Sequence, residues 1–469
     1  MLFRSGTMPD IGAYENSNGV ASYSGDSYYV SASSNYGNGS STYPFPAIQQ
    51  GIDASTDGDT VSVAAGTYVE NINFNGKNIA VIGADSSNTI IDGDSSGSVV
   101  LFNSGEDSTA ILKKFTLKNG FASSTEVFLD MGGGVLCVGS SPTLSELIIA
   151  NNSTTGWGGG ITMYNSNAKL SNSIVRNNST TWLGGGGMVI QSHSYAKITN
   201  VKIIDNLSGS GGGGISCANS SPVLKNVLIM GNNVGSFNEG GGMEIGGPSD
   251  TPTLINVTIT KNTATGQPAG GIMFSGGSAN IINSIIVDNY PQDINFNSGA
   301  SASTINVSYS YLEGGLDSII TNNNGTVTWG SGNIDVNPMF VDTSNGNYHL
   351  LASSMLINAG HPDSTDSDGT RADIGAYPYL NTYVGDNGWH VSTAGNDTTG
   401  TGDAGAPFAS IQAGINFSSN DDSVTVAAGT YVENINFRGR NIKVVGADRE
   451  TTIIDGDSSG IAVMINNTT

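Results

Sequence analysis

The chain has 469 residues, which is enough for several domains or for one long solenoid. Its formal net charge of −23 argues against nucleic acids and anionic membrane surfaces as partners. Glycine accounts for 66 residues and charged residues for only 12% of the chain, as expected where turns dominate. No run approaches the roughly 20 apolar residues of a membrane span. No apolar core of a signal peptide follows Met1.

The first 22 residues are predicted to be the tail of a preceding unit, and a strand at Tyr28–Val30 opens the first complete unit. A proline-rich stretch then leads into Ala47–Ala54, which is predicted to be a short amphipathic helix with Ile48 and Ile52 on one face. Such a helix would cap the apolar end of a solenoid, which otherwise meets water or pairs with another edge.

The centre of the chain repeats one pattern six times. An apolar residue is followed, usually, by Asn two positions later, then by an Ile-like residue at position five and by Asn at position eight. Because the copies recur every 26 to 30 residues, the pattern predicts a solenoid. The six copies are Leu144–Asn152, Leu170–Asn178, Ile198–Asn206, Leu224–Asn232, Leu254–Asn262 and Ile281–Asn289.

A glycine pair followed by an apolar residue interleaves with this pattern. The apolar runs between the two signals are short and β-branched, which indicates strands rather than helices. Three strands with turns fill one coil of a parallel β-helix, and stacked coils about 4.8 Å apart would let the repeated asparagines hydrogen-bond as a ladder. Leucine-rich repeats are the alternative solenoid, but their leucine consensus is missing. The pairs occur in Gly133–Val135, Gly159–Ile161, Gly186–Met188, Gly213–Ile215, Gly241–Met243 and Gly270–Ile272.

These two signals resemble the right-handed parallel β-helix repeats of the pectate-lyase superfamily and the repeats of bacterial polymorphic outer-membrane proteins. The resemblance covers most of the chain and implies an all-β, right-handed parallel β-helix. It implies no single activity, because this fold hosts lyases, hydrolases, adhesins and inert stalks.

After Asn289 the pattern loosens into an irregular run that ends at Tyr377. This run resembles the C-terminal region of the bacterial surface β-helix proteins called choice-of-anchor Q, which implies a secreted or cell-surface protein and no particular chemistry. The run comprises Gly332–Asp335, Pro338–Asp342, Gly346–Leu350, Ile357–Gly360 and Arg371–Tyr377.

A longer repeat relates the two ends of the chain. Asp10–Tyr14 returns as Asp373–Tyr377, and Val63–Phe74 returns unchanged as Val426–Phe437, each with an offset of 363 residues. The chain is therefore predicted to be part of a larger tandem array of β-helix units.

The predicted boundaries follow from this offset. Residues 1–22 form the tail of a preceding unit, residues 23–380 one complete unit, and residues 381–469 the truncated start of a second unit with its own cap helix near Ala409–Asn416. Within the complete unit we expect the cap at 23–75, regular coils at 76–312 and an irregular C-terminal region at 313–380.

A polysaccharide lyase needs a base, usually Lys or Arg, beside carboxylates that hold Ca²⁺. If Val135 and Cys137 point inward, Glu244 is the one ionisable residue among the outward positions that follow the glycine pairs. Arg176 and Lys202 stand out on the strands between the asparagines, without a carboxylate at the matching outward positions.

A glycoside hydrolase would need two or three neighbouring carboxylates. The repeats offer only scattered ones, namely Asp205, Glu239 and Asp288, although an insertion at 121–131 with Glu126 and Asp130 could complete a site.

Calcium is the one cofactor for which the sequence offers candidate ligands. Asp363, Asp366 and Asp368 lie on alternate or nearby positions of one short loop that ends in Gly369, with Asp373 as a further possible ligand. Ca²⁺ takes six to eight oxygen ligands, and short Asp-rich loops can supply them. The alternative is an ordinary acidic turn.

Aromatic residues precede several glycine pairs, at Trp157, Trp182 and Phe237. In a row along a solenoid edge they would form a carbohydrate-binding surface by stacking on sugar rings; alternatively they shield the glycine turns beneath them.

We therefore predict a non-catalytic structural or adhesive β-helix protein, extracellular or on a bacterial cell surface, with polysaccharide or a cell-surface glycan as its possible partner. The alternative is a calcium-dependent polysaccharide lyase or glycoside hydrolase of the pectate-lyase-like fold. Neither a nucleic-acid partner nor membrane insertion is expected.

Two further expectations concern packing. Cys137 and Cys217 occupy equivalent positions three coils apart, too far for a disulfide, so both are predicted to be free and buried. Leu228 and Met230 belong to an apolar outward stripe that should be covered by residues 290–360, by a neighbouring subunit, or not at all if a bulge shifts the phase.

Overall fold

The computed structural model describes residues 23–123, 130–235, 239–265, 268–385 and 388–465; Glu126 and Phe237 lie outside these ranges. Successive coils contribute strands to three parallel sheets, which we call A, B and C. The predicted all-β parallel β-helix is therefore confirmed. The stacked strands of sheet A extend from Ser27 to Trp329, on both sides of the predicted coil region 76–312.

Sheet A has eighteen strands and follows sheet B in each coil. They are Ser27–Val30, Thr60–Val63, Gly66–Val69, Ala80–Gly83, Thr89–Asp92, Ile111–Lys113, Thr116–Lys118, Thr143–Ser145, Ile148–Ala150, Lys169–Arg176, Lys197–Ile204, Val223–Met230, Thr253–Thr260, Ser278–Ile282, Ile285–Val287, Ser303–Ser308, Tyr311–Leu312 and Gly325–Trp329.

Sheet B has nine strands, which begin after the glycine pairs in the regular coils. They are Ile72–Asn73, Val100–Phe102, Val135–Val138, Ile161–Tyr164, Met188–Gln191, Ile215–Ala218, Met243–Gly246, Ile272–Phe274 and Ile294–Phe296. Sheet C has six short strands, Phe121–Ala122, Ser153–Thr154, Ser179–Thr180, Leu207–Ser208, Asn233–Val234 and Thr263–Ala264.

The remaining strands pair outside these three sheets. Glu239–Gly240 pairs with Pro268–Ala269, and Phe340–Asp342 pairs antiparallel with Asn347–Leu350. The second unit contributes Trp389–Val391, Ser423–Val426, Gly429–Val432, Ile435–Asn436, Lys443–Gly446, Thr452–Asp455 and Val463–Met464, and short 3-10 helices lie at Gly315–Ser318 and Thr343–Asn345.

The repeated asparagines form a buried ladder at the bend between sheets A and C. Each amide nitrogen donates to the amide oxygen of the next coil: Asn178 Nδ2 reaches Asn206 Oδ1 at 3.0 Å, and Asn206 Nδ2 reaches Asn232 Oδ1 at 2.9 Å. Asn206 Nδ2 also donates to the Val175 carbonyl at 3.0 Å. The predicted ladder is therefore confirmed. Its members are Asn152, Asn178, Asn206, Asn232, Asn262 and Asn289.

The glycine pair makes room for this ladder. A Cβ atom added at Gly160 would lie 2.5 Å from the Gly187 carbonyl oxygen and 2.9 Å from Asn178 Nδ2, too close for any side chain. The two sequence signals are thus two sides of one contact.

A second ladder, of serines, runs along the turn between sheets B and A. The backbone N–H of Ser166 donates to Ser194 Oγ at 2.9 Å, and that of Ser194 donates to Ser220 Oγ at 3.0 Å. The next member is Asp250, whose carboxylate accepts the Ser220 N–H. Asp250 is fully buried, and burial raises the pKa of its carboxyl group to about 7.

The register of sheet B places Cys137, Met163, Ile190 and Cys217 in one inward row on four successive strands. Both cysteines are free and buried, as predicted. They act as small apolar core residues.

Both predicted cap helices are present, as α1 (Ile48–Ala54) and α2 (Ile411–Phe417). The Glu70 carboxylate accepts the backbone N–H groups of Ile48 and Gln49 at 2.8 and 3.0 Å, and Glu433 caps α2 in the same way. These carboxylates satisfy N–H groups that a helix leaves unpaired at its first turn. Neither α1, α2 nor any other helix in the described ranges is long and apolar enough to cross a bilayer.

The apolar outward stripe of sheet A is covered, although by a later segment than predicted. Residues 290–329 mostly continue the stack of strands, and residues 343–377, here called the cover segment, pack over the stripe. Lys261 Nζ donates to the Thr343 carbonyl at 2.8 Å, and Asn256 Nδ2 donates to the Asp373 carbonyl at 3.0 Å. Leu228 is only 2% exposed and Ile285 is fully buried, whereas Met230 is half-buried, so the stripe is buried in part within one chain.

The start of the second unit packs on the cover segment in turn. Asn416 Nδ2 on α2 donates to the carbonyls of Ala352 and Ser354 at 2.9 and 2.8 Å, and Arg438 donates to the Ile357 carbonyl at 2.8 Å. All seven residues of α2 are buried. The cover segment therefore contacts α2 and Arg438 on the side away from sheet A.

Replacing one buried ladder residue should destabilise the protein strongly. Asn206→Ala leaves the Asn178 backbone N–H and the Val175 carbonyl without their buried partner, so we expect a loss of about 3 kcal/mol in the free energy of unfolding, measured by denaturant titration. Asn200→Gly is the matched control, because Asn200 has a φ of 55° and its amide bonds are exposed; it should cost under about 1 kcal/mol. Equal losses would contradict the ladder's role.

Asp250 should make stability depend on pH. The folded chain holds a proton at a pKa of about 7, whereas the carboxyl of the unfolded chain releases it near about 3.9. Between these values the unfolded state binds fewer protons, so stability should fall as pH rises from about 4 to about 7. In Asp250→Asn, the fall in the free energy of unfolding between these pH values should be smaller by a few kcal/mol. Parallel stability curves for the two proteins would show that Asp250 does not carry it.

Candidate functional site

The glycine-rich loops lie over the outward face of sheet B. The first outward residue is buried on several strands, as Leu136, Thr162 and Val189 show, whereas Glu244 is half-buried. Thr162 Oγ1, for example, donates to the Trp157 carbonyl of its own loop at 2.9 Å. Sequence reasoning treated these positions as solvent-facing and missed this cover, because the loops reach the face only through tertiary folding. The second outward residues, such as Tyr164 and Gln191, remain half-buried.

The predicted aromatic residues differ in exposure. Trp157 is half-buried and forms a parallel bridge with Met131, as expected for a residue that shields a turn. Trp182 is 68% exposed, and Tyr195 on the same coil is 56% exposed. Trp182 precedes the strand Met188–Gln191 in sequence, and Tyr195 follows it. Phe237 lies outside the described residues.

The predicted calcium loop lies in the cover segment, and its carboxylates accept backbone N–H groups. Asp366 accepts from Asp373 at 2.9 Å, and Asp368 accepts from Asn381 at 2.8 Å. Asp363 is largely exposed.

Asp373 is the most buried carboxylate of this loop. Its two oxygens accept the N–H groups of Asn358 and Tyr379, each at 2.7 Å. Burial, and secondarily the neighbouring Asp366, raises the pKa of Asp373 to about 8, and burial raises that of Asp366 to about 6.

These contacts fasten the cover segment without a metal. Among the residues that the structure describes, no group of three or more His, Cys, Asp or Glu side chains is arranged to hold a metal ion. Calcium therefore stays a prediction, and a bound ion would have to recruit oxygens now engaged with backbone N–H groups.

An acidic cleft of about 700 Å³ opens where sheet A meets the start of the cover segment. Asp288, Glu313 and Asp335 come from successive coils, directly after or beside paired strand positions, and no Lys or Arg lines the cleft. Burial, and secondarily Glu313 and Asp335, raises the pKa of Tyr311 to about 12. We call this the acidic cleft.

Only one of its carboxylates, Asp288, was singled out from the sequence. The signal for the others was available, since Glu313 follows Tyr311–Leu312 as Asp288 follows Ile285–Val287. The irregular sequence after Asn289 concealed that register.

Arg176 and Lys202, noted for their isolation from carboxylates, are both exposed on the outward face of sheet A. They lie on the same outward face of sheet A as Val287 of the acidic cleft, but Lys202 is three coils and Arg176 four coils away along the stack, and the strands that carry them contain no Asp or Glu.

Calcium binding can be tested through stability. If the loop at 363–373 binds calcium, a chelator should lower the melting temperature by a few degrees, because an ion that binds only the folded state stabilises it. Asp366→Asn/Asp368→Asn should abolish the difference, and Asp317→Asn/Asp457→Asn, at two exposed aspartates elsewhere, should not. Identical melting curves in chelator and in millimolar calcium would dismiss the ion.

Comparisons with known proteins agree with this fold. The family model "Right handed beta helix region" matches residues 67–284. Among solved structures, pectate lyase Pel9A has a TM-score of 0.48 at 19% identity and covers 77% of this chain and 98% of its own. A mutant of the PL6 family alginate lyase AlyGC has a TM-score of 0.36 at 13% identity, over 86% of this chain and 66% of its own.

No curated protein matches the chain. The family match describes the fold and leaves the chemistry open. The stacked sheets show a parallel β-helix, and the match to the right-handed β-helix model covers residues 67–284 of it.

Proposed function

We propose that this chain is a non-catalytic structural or adhesive β-helix unit of an extracellular or cell-surface protein, and that it binds glycan at the edge carrying Trp182 and Tyr195. The observation that carries this proposal is the separation of its charges. The acidic cleft is lined by carboxylates and by no lysine or arginine, and Lys261 at its border is engaged with the Thr343 carbonyl. Arg176 and Lys202 lie on strands without a carboxylate. A lyase needs both kinds of group around one substrate atom.

Sheet B supports the same conclusion. Its nine strands contain no Lys or Arg, so this face offers neither of the usual bases of a lyase. The one carboxylate of these strands, Glu244, accepts a hydrogen bond from Ser216 Oγ at 3.2 Å.

The exposed aromatic pair supports glycan binding. A Trp ring that is 68% exposed is unusual in a soluble protein unless a partner covers it. Sugar rings offer C–H faces that stack on aromatic rings, and backbone carbonyls and amides around the loops can meet sugar hydroxyl groups. The resemblance to choice-of-anchor Q proteins in Arg371–Tyr377 supports the cell-surface location.

The acidic cleft favours glycoside hydrolysis as the second candidate. Hydrolysis of a glycosidic bond uses a pair of carboxyl groups, one as acid and one as base or nucleophile. Asp288, Glu313 and Asp335 supply such groups around one opening.

Glycan binding and catalysis can be measured on the same preparations. We expect the chain to bind an insoluble neutral polysaccharide such as mannan or cellulose, and Trp182→Ala to weaken this binding about fivefold or more through loss of stacking. Tyr36→Ala, at an aromatic residue that is 54% exposed and lies elsewhere, is the control.

The same polysaccharides, together with polygalacturonate and alginate, should yield neither unsaturated products nor new reducing ends. Ultraviolet absorbance of unsaturated uronates would overturn the non-catalytic proposal. New reducing ends that Asp335→Asn abolishes would instead establish the hydrolase. Binding that Tyr36→Ala reduces as much as Trp182→Ala would reject the aromatic site.

A further inference from the structure

The few cations of this acidic chain are concentrated on one face. Nine of its 16 Lys and Arg residues lie between positions 113 and 261. Three adjacent strands of sheet A carry five of them and no Asp or Glu. All five side chains are exposed, and we call them the basic strip: Lys169, Arg176, Lys197, Lys202 and Lys225.

The register of the strands stacks like charges. Lys169 pairs with Lys197 at directly opposite positions on neighbouring coils, which lie about 4.8 Å apart. Like charges directly opposite each other destabilise a sheet. The stack therefore works against folding, and the core beneath it offers no reason for it, because the inward neighbours Leu170 and Ile198 are apolar whichever residue lies outside.

The lysines on an earlier coil of sheet A, in contrast, form ion pairs. Lys113 pairs with Glu146 at 2.9 Å, and Lys118 pairs with Asp92 at 3.2 Å. Within the part of the chain that the structure describes, no residue of the basic strip forms an ion pair within 4.0 Å. Lys225 lies near Asp366 of the cover segment, which offsets the charge of the strip in part on the third coil.

Polar groups lie between the cations at the two ends of these strands. Each of its strands bends at an asparagine, and these form an exposed ladder in which Asn200 Nδ2 donates to Asn172 Oδ1 at 3.1 Å and Asn226 Nδ2 donates to Asn200 Oδ1 at 3.0 Å. Lys202 lies 5.7 Å from the centre of the Tyr377 ring, which borders the strip at the cover segment. The surface between the cations is therefore rich in hydrogen-bonding groups.

We propose that the basic strip binds a linear anionic polysaccharide that lies along the axis of the β-helix. Its carboxylate or sulfate groups would meet cations on successive coils, and its hydroxyl groups would meet the exposed asparagine ladder. Five charges spread over three open coils suit an extended polymer better than a small anion, which needs an enclosing pocket. This site is on a different sheet from Trp182, so it does not depend on the proposed aromatic site.

The ligand class follows from the charge balance. Duplex nucleic acid carries one negative charge per about 1.7 Å, and a chain with a net charge of −23 repels such a density strongly. A polysaccharide with one charge per sugar is repelled less at long range, and at physiological salt the long-range term is screened beyond about 8 Å while contacts at the strip persist.

The full chain can be tested for binding to heparin and to polygalacturonate, with dextran as the neutral polymer, in chelator at low salt. Lys197→Gln/Lys202→Gln should weaken binding of at least one anionic polymer about tenfold and flatten its salt dependence. Lys443→Gln/Arg449→Gln removes the same two charges from exposed positions elsewhere and should change binding less than twofold. Dextran should not bind to the strip.

Each result decides the proposal. Binding of heparin alone assigns the strip to sulfate groups, and binding of polygalacturonate alone assigns it to carboxylates. If neither polymer binds, or if the control variant weakens binding as much, the proposal is wrong. Self-association in light scattering that the strip variant abolishes, without polysaccharide binding, would assign the surface to a second copy and also overturn it.

Stability separates a binding role from a folding role. Because Lys197→Gln relieves the repulsion from Lys169, the melting temperature of the strip variant should stay the same or rise while binding falls. Lys197→Arg/Lys202→Arg keeps both charges and should retain binding. A variant that binds poorly and also melts lower, with no rescue by arginine, would show that the strip is structural.

Discussion

The buried asparagine ladder is the contact on which the rest of the structure depends. Each amide uses its nitrogen and its oxygen toward neighbouring coils, so that every coil fixes the height and rotation of the next. The glycine pair that faces each asparagine leaves space for its amide. Because every rung shares this geometry, sheets A, B and C inherit a common register without further specification.

Away from the ladder, the residues on the outside of each coil differ from coil to coil. The charged residues of each sign are concentrated in different places on this outer surface. The glycine loops close over sheet B, carboxylates gather around the acidic cleft, and cations gather on the basic strip. Catalysis on such a scaffold would need opposite charges on one spot. Separate regions of single sign instead suit binding, because each attracts a different kind of surface along the length of the solenoid.

The cover segment contacts sheet A on one side and the residues around α2 on the other. It buries the apolar stripe of sheet A through contacts such as Asn256 with Asp373, and its other side receives Asn416 and Arg438 of the second unit. In the first unit the positions equivalent to Asn416 and Arg438, by the 363-residue offset, are Asp53 and Asn75. A carboxylate at position 53 cannot donate to carbonyl groups as Asn416 does, so the outer face of α1 differs chemically from that of α2.

Local periodicity was enough to predict the coils, the ladder, both cap helices and the free cysteines, because each depends on residues at one repeated spacing. It was not enough for the sites. Tyr195 carries no local signature, and the register that places Glu313 beside Asp288 is concealed by the irregular sequence after Asn289. Trp157 and Trp182 look alike in sequence although only one is largely exposed. The segment that covers Leu228 was misplaced for the same reason. Which irregular segment returns over which coil is set by contacts between residues more than a hundred positions apart, and only the folded chain brings these together.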